Sequence, residues 1–316
     1  MEENRAWVQA VKDNIGKVLV GKERVIDLIL TSMIAGGHVL LEDVPGTGKT
    51  MLAKSLARSL DTSFGRIQFT PDLLPSDVTG LNYYNQKEGE FQFRKGSVFA
   101  NTILADEINR ATPRTQASLL ECMEERQVTV DGVTRKLEEP FFVIATQNPL
   151  ETTGTFPLPE AQLDRFFMKL SMGLPDGKEE LGILERFLAD QPYETLSPVC
   201  DGSCVLRARE AARQVYVHPH LRTYLVELVQ ATRKDQEILS GVSPRGMLAL
   251  VHAAQAYAWI HGREYVVPED IKTAAVPVMA HRLVLSRGYG SALTGEKKIR
   301  EALEQVAVPT EEWERR

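Results

Sequence analysis

Val39-Leu40-Leu41-Glu42-Asp43-Val44-Pro45-Gly46-Thr47-Gly48-Lys49-Thr50 passes from an apolar run of strand length, through a turn, into a helix start. That order suits a phosphate loop. Gly46 and Gly48 let backbone N–H groups close on phosphate oxygens, Lys49 reaches toward the β and γ oxygens, and the Thr50 hydroxyl is a ligand for Mg²⁺. The general pattern places Gly six residues before the Lys, where this chain has Asp43, so an ordinary glycine-rich turn stays open as the alternative.

A second stretch narrows the choice. Thr102-Ile103-Leu104-Ala105-Asp106-Glu107 is an apolar strand ending in two carboxylates, and a parallel sheet brings such a strand end beside the loop. There Asp106 would hold Mg²⁺ and Glu107 would orient and deprotonate a water; alone, the pair could equally be two solvated acids. Phe141–Pro149 is another buried strand with polar amides at its end. Asn148 is placed either to touch a γ-phosphate or to cap the loop before Pro149. In Leu163-Asp164-Arg165-Phe166-Phe167, Arg165 is either presented to a neighbouring subunit's nucleotide or paired with Asp164 on the surface.

Around these motifs the chain alternates. Short apolar runs at His38–Leu41, Arg66–Phe69, Thr102–Ala105, Phe141–Thr146 and Phe166–Leu170 are separated by helical stretches such as Met51–Leu60 and Thr112–Glu125, which predicts an α/β fold with a parallel sheet. Residues 1–36 read as two helices, the first with Trp7, Val11, Ile15 and Val18 on one face. Asp131-Gly132 between β-rich runs predicts a hairpin over 127–135, and Glu88-Gly89-Glu90 a weaker one over 81–93. Beyond residue 175 the strand pattern stops, and helices are expected near 178–190, 205–216, 219–235, 244–262, 268–285 and 295–306. Two domains follow: 1–175, with inserted hairpins near 72–95 and 127–137, and an all-helical 176–316.

Composition sets outer limits. With 37 Lys+Arg against 43 Asp+Glu, the net charge of −6 disfavours bulk polyanion binding. The uncharged stretches Leu28–Leu41 and Gly246–Gly262 read as core elements rather than transmembrane segments, because glycine and histidine or glutamine interrupt them. An odd count of three cysteines and an acidic start without a signal-peptide pattern point to the cytoplasm. Cys200/Cys204 and His218/His220 lack a second ligand pair at matching spacing and are read as incidental to metal binding.

The segments PGTGKT, ILADEINRA, ATQNP, EAQLDRF and GVSPRG, in this order, resemble an AAA+ ATPase, specifically of the MoxR family, over essentially the whole chain. An acidic residue at the Asp43 position is common in that family. The resemblance implies a P-loop nucleotide-binding domain with a helical lid, assembled as a homo-oligomeric, commonly hexameric, ring that uses ATP and Mg²⁺. It implies nucleotide binding by Gly46, Thr47, Gly48, Lys49, Thr50 and Met51, with Val20-Gly21 cradling adenine. Thr50 and Asp106 would hold the metal. Glu107 would be catalytic, with Asn148 as sensor 1, Arg165 as an arginine finger acting in trans, and Arg245 as sensor 2 on the lid. Arg110 and Arg114 would lie near the subunit boundary. Similar proteins act as chaperone-like motors or in metal-cofactor insertion, often with partners carrying von Willebrand factor A-like domains. The competing classes are a nucleic-acid-dependent motor, which the absence of a basic residue at Asp131-Gly132 disfavours, and a nucleotide-gated scaffold with little turnover, which intact Asp106, Glu107 and Arg165 disfavour.

Overall fold

A computed structural model describes residues 5–149, 154–189, 192–286 and 294–309. Residues 150–153, within the segment expected to lead up to Arg165, lie outside that range. Two amphipathic helices open the chain, α1 (Ala6–Val18) and α2 (Glu23–Ala35). Helix α1 buries Trp7, Val11, Ile15 and Val18, the face expected from their spacing.

The sheet comes next. Its strands are β1 (Val39–Glu42), β2 (Phe64–Gln68), β5 (Thr102–Asp106), β8 (Phe142–Gln147) and β9 (Met168–Leu170), all parallel, in the order β2-β5-β8-β1-β9. Both faces of the central strands β1, β5 and β8 are covered, which is why these three read as apolar runs, whereas the outer strands β2 and β9 carry Arg66, Gln68 and Lys169. Val39, Leu41, Leu104, Phe142 and Ile144 point into the core shared with α1, α2 and the C-terminal helices, whereas Leu40, Ile103, Ala105, Val143 and Ala145 point into a second core on the opposite face.

Helix α3 (Lys49–Ser59) follows β1, and α4 (Pro75–Thr79) precedes the hairpin β3–β4 (Gly80–Asn85, Glu90–Lys95). Helix α5 (Pro113–Glu125) leads to the second hairpin, β6–β7 (Gln127–Val130, Val133–Lys136). Its tip residues Asp131 and Gly132 both have positive φ, 50° and 78°, as a two-residue turn matching strand twist requires. A short helix α6 (Glu160–Leu163) precedes β9.

The rest is mainly helical: α7 (Gly177–Ala189), α8 (Gly202–Arg213), α9 (Pro219–Lys234), α10 (Pro244–Ile260), α11 (Pro268–Met279) and α12 (Gly295–Gln305). Two expectations need correction. This part is not purely helical, because β10 (Ile238–Ser240) and β11 (Val284–Leu285) pair antiparallel. The helix expected over 268–285 stops at Met279, where Ala280–Arg282 tighten into a single 3₁₀ turn. Among the described residues no helix is long and apolar enough to cross a membrane, and no group of three or more His, Cys, Asp or Glu side chains is placed to hold a metal ion.

Candidate nucleotide site

The turn between β1 and α3 has Gly46 at φ +88° and Gly48 at φ +90°, conformations that cost other residues strain. A Cβ on Gly48 would also stand 2.9 Å from the Leu19 side chain, so the residues just before Val20-Gly21 pack directly on the loop. Helix α3 begins at Lys49 with no side chain capping it. Its first N–H groups and its dipole therefore face the mouth of the loop, the arrangement that attracts phosphate. Lys49 Nζ donates to the carbonyls of Asp43 (2.9 Å) and Val44 (3.2 Å), bracing the turn from within.

Asp43, where the general pattern has glycine, has a structural task. It is 5% exposed, and its carboxylate accepts hydrogen bonds from Ser171 Oγ (2.7 Å), Met172 N (2.7 Å) and Gly173 N (3.1 Å). It thus ties the loop to the chain leaving β9. A glycine there would leave the Met172 N–H and the Ser171 hydroxyl without their acceptor, and the Gly173 N–H with its bond to Ser171 Oγ at 3.2 Å.

One strand, β8, separates β1 from β5, so the loop and the end of β5 stand about 10 Å apart at the same edge of the sheet. At that edge Thr146 Oγ1 donates to Asp106 Oδ1 (2.7 Å) and accepts from Glu107 N (2.9 Å), fixing both acids relative to each other. The other Asp106 oxygen accepts from Arg66 Nη2 at 2.7 Å. Glu107 has φ 56°, a left-handed conformation that a non-glycine residue holds only where its surroundings enforce it, and such strain clusters at functional sites. Its Oε2 accepts from Gln68 Nε2 (3.0 Å) and Arg110 Nε (3.1 Å). Asn148, 7% exposed, follows β8 at the same edge.

Arg165 and Arg245 are elsewhere. Helix α5 starts at this edge and runs about 20 Å, at 1.5 Å per residue, to the other end of the sheet. Its end is fixed there by His38, the residue before β1: Nε2 bonds Met123 O and Nδ1 accepts from Val143 N, both at 3.0 Å. Burial pushes the pKa of His38 down to about 4, so the ring is the neutral tautomer these two bonds require. At this far edge Glu124 meets both arginines, Oε2 with Arg165 Nε at 3.2 Å and Oε1 with Arg245 Nη1 at 3.3 Å. A strand length of about 13 Å separates them from the chain's own phosphate loop.

The expected alternative for Arg165, a surface pair with Asp164, is therefore corrected: Asp164 Oδ1 accepts from Arg282 Nε at 2.7 Å, and Arg165 turns to Glu124. Arg165, Arg245 and Glu124 are 32%, 48% and 37% exposed, and pairs this open are held by about 1 kcal/mol or less. Two guanidinium groups sharing one carboxylate leave a net positive, readily released pair. Arg66, Gln68, Glu124, Thr146 and Arg282 went unnoticed in the sequence. Only Arg66-Ile67-Gln68, with a buried residue between two polar ones on a strand, carried a periodic hint.

The family described as "ATPase family associated with various cellular activities (AAA)" matches residues 38–168, and the AAA lid domain matches residues 230–304. Chaperone MoxR1 of Mycobacterium tuberculosis is 40% identical, over 93% of this chain and 80% of its own. Protein MoxR of Paracoccus denitrificans is 36% identical, over 86% of this chain and 87% of its own. A crystal structure of a candidate ATPase from Cytophaga hutchinsonii superposes with a TM-score of 0.90 at 40% identity, covering 98% of this chain and 97% of that one. With a glycine-turned phosphate loop facing two acids across one strand, and this kinship along nearly the whole chain, the protein belongs to the MoxR family of AAA+ ATPases.

Proposed function

We propose that this chain is an ATP hydrolase that drives a chaperone-like motor, and that each of its sites is completed by a second copy. The observation that carries this reading is the split of the site. Lys49, Thr50, Asp106, Glu107 and Asn148 gather at one edge of the sheet, while Arg165 and Arg245 share Glu124 at the opposite edge. A copy stacked with its far edge against a neighbour's loop supplies two cations that the neighbour holds at its own opposite edge, away from that loop.

In that arrangement the N–H groups of Gly46–Met51 and the Lys49 ammonium bind the phosphates, and Val20-Gly21 flank the base. Thr50 and Asp106 supply the hard oxygen donors that suit Mg²⁺, which when bound would neutralise charge on the phosphate oxygens. Glu107 takes a proton from the attacking water, and Thr146 holds Glu107 and Asp106 in register. Asn148 positions the water or the terminal phosphate. Arg165 and Arg245 leave Glu124 to meet charge developing on a neighbour's phosphate.

We further propose two domains divided near residue 175, a ring that is commonly hexameric in similar proteins, and a cytoplasmic setting, which the free thiols of Cys122, Cys200 and Cys204 support. The client is a protein, contacted through the hairpins: Tyr83, Tyr84 and Phe91 are exposed on β3–β4. Arg135 stacks on Phe93 at 3.8 Å from the ring centre instead of reaching outward, which supports a protein client over nucleic acid. Partners with von Willebrand factor A-like domains and a role in metal-cofactor insertion rest on resemblance. ATPase rates measured with such a partner, with duplex DNA and with single-stranded RNA separate the readings. Stimulation by the protein partner is expected; stimulation by nucleic acid alone would favour the nucleic-acid motor, and negligible turnover throughout the nucleotide-gated scaffold.

A further inference from the structure

Arg282 belongs to the C-terminal helical part of the chain, yet its side chain, 3% exposed, is spent on the turn that carries Arg165. Nε donates to Asp164 Oδ1 at 2.7 Å, Nη2 to the carbonyls of Phe166 (2.7 Å) and Asp164 (3.3 Å), and Nη1 to that of Phe167 (3.3 Å). Nη1 also reaches the Val278 carbonyl in the last turn of α11, just before the 3₁₀ turn that carries Arg282. One planar guanidinium thus spans both sides of Arg165, and four backbone carbonyls and one carboxylate converge on it.

The stem of the same side chain touches the second arginine's helix. A Cβ on Gly246 would lie 2.8 Å from Arg282 Cδ, so Arg282 packs against the residue that follows Arg245 in the first turn of α10. Beside it, His281 Nε2 bonds Phe166 O at 3.1 Å, and burial holds the pKa of His281 well below its usual value, so the ring adds a contact without adding charge. Such a cluster costs a buried cation, offset by Asp164. A fold needing only to close the junction between β9 and α11 could do so with apolar side chains.

We infer that Arg282 is a positioning residue for the two arginines one copy offers its neighbour: it fixes the direction of Arg165 through residues 164–167 and backs Arg245 through Gly246. This rests on the proposed in-trans role of Arg165. A misplacement of about 1 Å costs reacting groups on the order of 10²-fold in rate. Lysine replaces Arg282 only in part, since a single ammonium does not reproduce a planar fork with five acceptors around it.

The test uses polarity. Arg282→Met keeps its own phosphate loop, so by calorimetry it should bind ATP as the unaltered protein does while turnover falls about 10²-fold. Mixed with Lys49→Ala, which lacks the loop cation but has an intact Arg282 and Arg165, it should regain turnover above either variant alone. Mixed with Arg165→Ala it should not, since both then lack a working arginine edge. Arg165→Ala mixed with Lys49→Ala is the control, and native mass spectrometry verifies that mixed assemblies form. Recovery in the control but not with Arg282→Met plus Lys49→Ala overturns the inference, as does recovery of Arg282→Met with Arg165→Ala, or turnover within threefold of the unaltered protein. No recovery in the control overturns the in-trans reading, and the inference with it. If Arg282→Met does not fold, Arg282→Lys takes its place in every mixture, with a smaller loss expected.

Discussion

Glu107→Gln is expected to keep ATP binding and lose turnover by about 10² to 10⁴, or about 3–5 kcal/mol of transition-state stabilisation. The phosphate loop, Lys49 and Asp106 are untouched by the change. The amide has the carboxylate's size, and its oxygen can still accept from Arg110 and Gln68, whose bonds to Glu107 Oε2 are 3.1 and 3.0 Å. What is removed is the negative charge facing Arg110 and the capacity to take a proton from water. Nucleotide affinity by calorimetry and phosphate release by a coupled assay separate the two effects. Turnover near that of the unaltered protein would show that Glu107 is held in its strained conformation for another reason.

Arg165→Ala is expected to bind ATP and hydrolyse it 10³ to 10⁵ times more slowly, the range typical of an arginine delivered to a transferring phosphoryl group. The same substitution hardly alters the isolated fold. Its ion pair to Glu124 at 3.2 Å is about one-third exposed on both sides and contributes about 1 kcal/mol or less, and Arg245 remains to neutralise Glu124. Thermal unfolding and turnover should therefore part company: a midpoint change of a few degrees beside a loss of several orders of magnitude in rate. A large fall in stability with a proportionate, modest fall in rate would return Arg165 to a structural role.

Much of this was legible in the sequence because it is local. The loop from Asp43 to Thr50 announces itself through two glycines that must take positive φ, and the sheet through apolar runs buried on both faces. The β6–β7 hairpin follows from Asp131-Gly132 alone. What stayed hidden depends on contacts between distant positions. Asp164 finds Arg282 across 118 residues, so no spacing rule could prefer that partner to the adjacent Arg165. Glu124 is one acid among several on α5, and only the meeting of α5, β9 and α10 at the far edge of the sheet makes it the shared partner of Arg165 and Arg245. The ribbon of β10 and β11 escapes a periodicity reading because its strands have three and two residues. Asp43 looked like a departure from a pattern; its three bonds to residues 171–173 make it a tether.

Completion of each site by a second copy is tested most directly by the unaltered protein's specific ATPase activity across a dilution series, with particle mass recorded at each concentration in the presence of ATP. Activity per subunit should rise with concentration in step with the appearance of a ring, if Lys49 and Glu107 of one copy meet Arg165 and Arg245 of another only in the assembly. Constant activity per subunit in a species that stays monomeric throughout would contradict it.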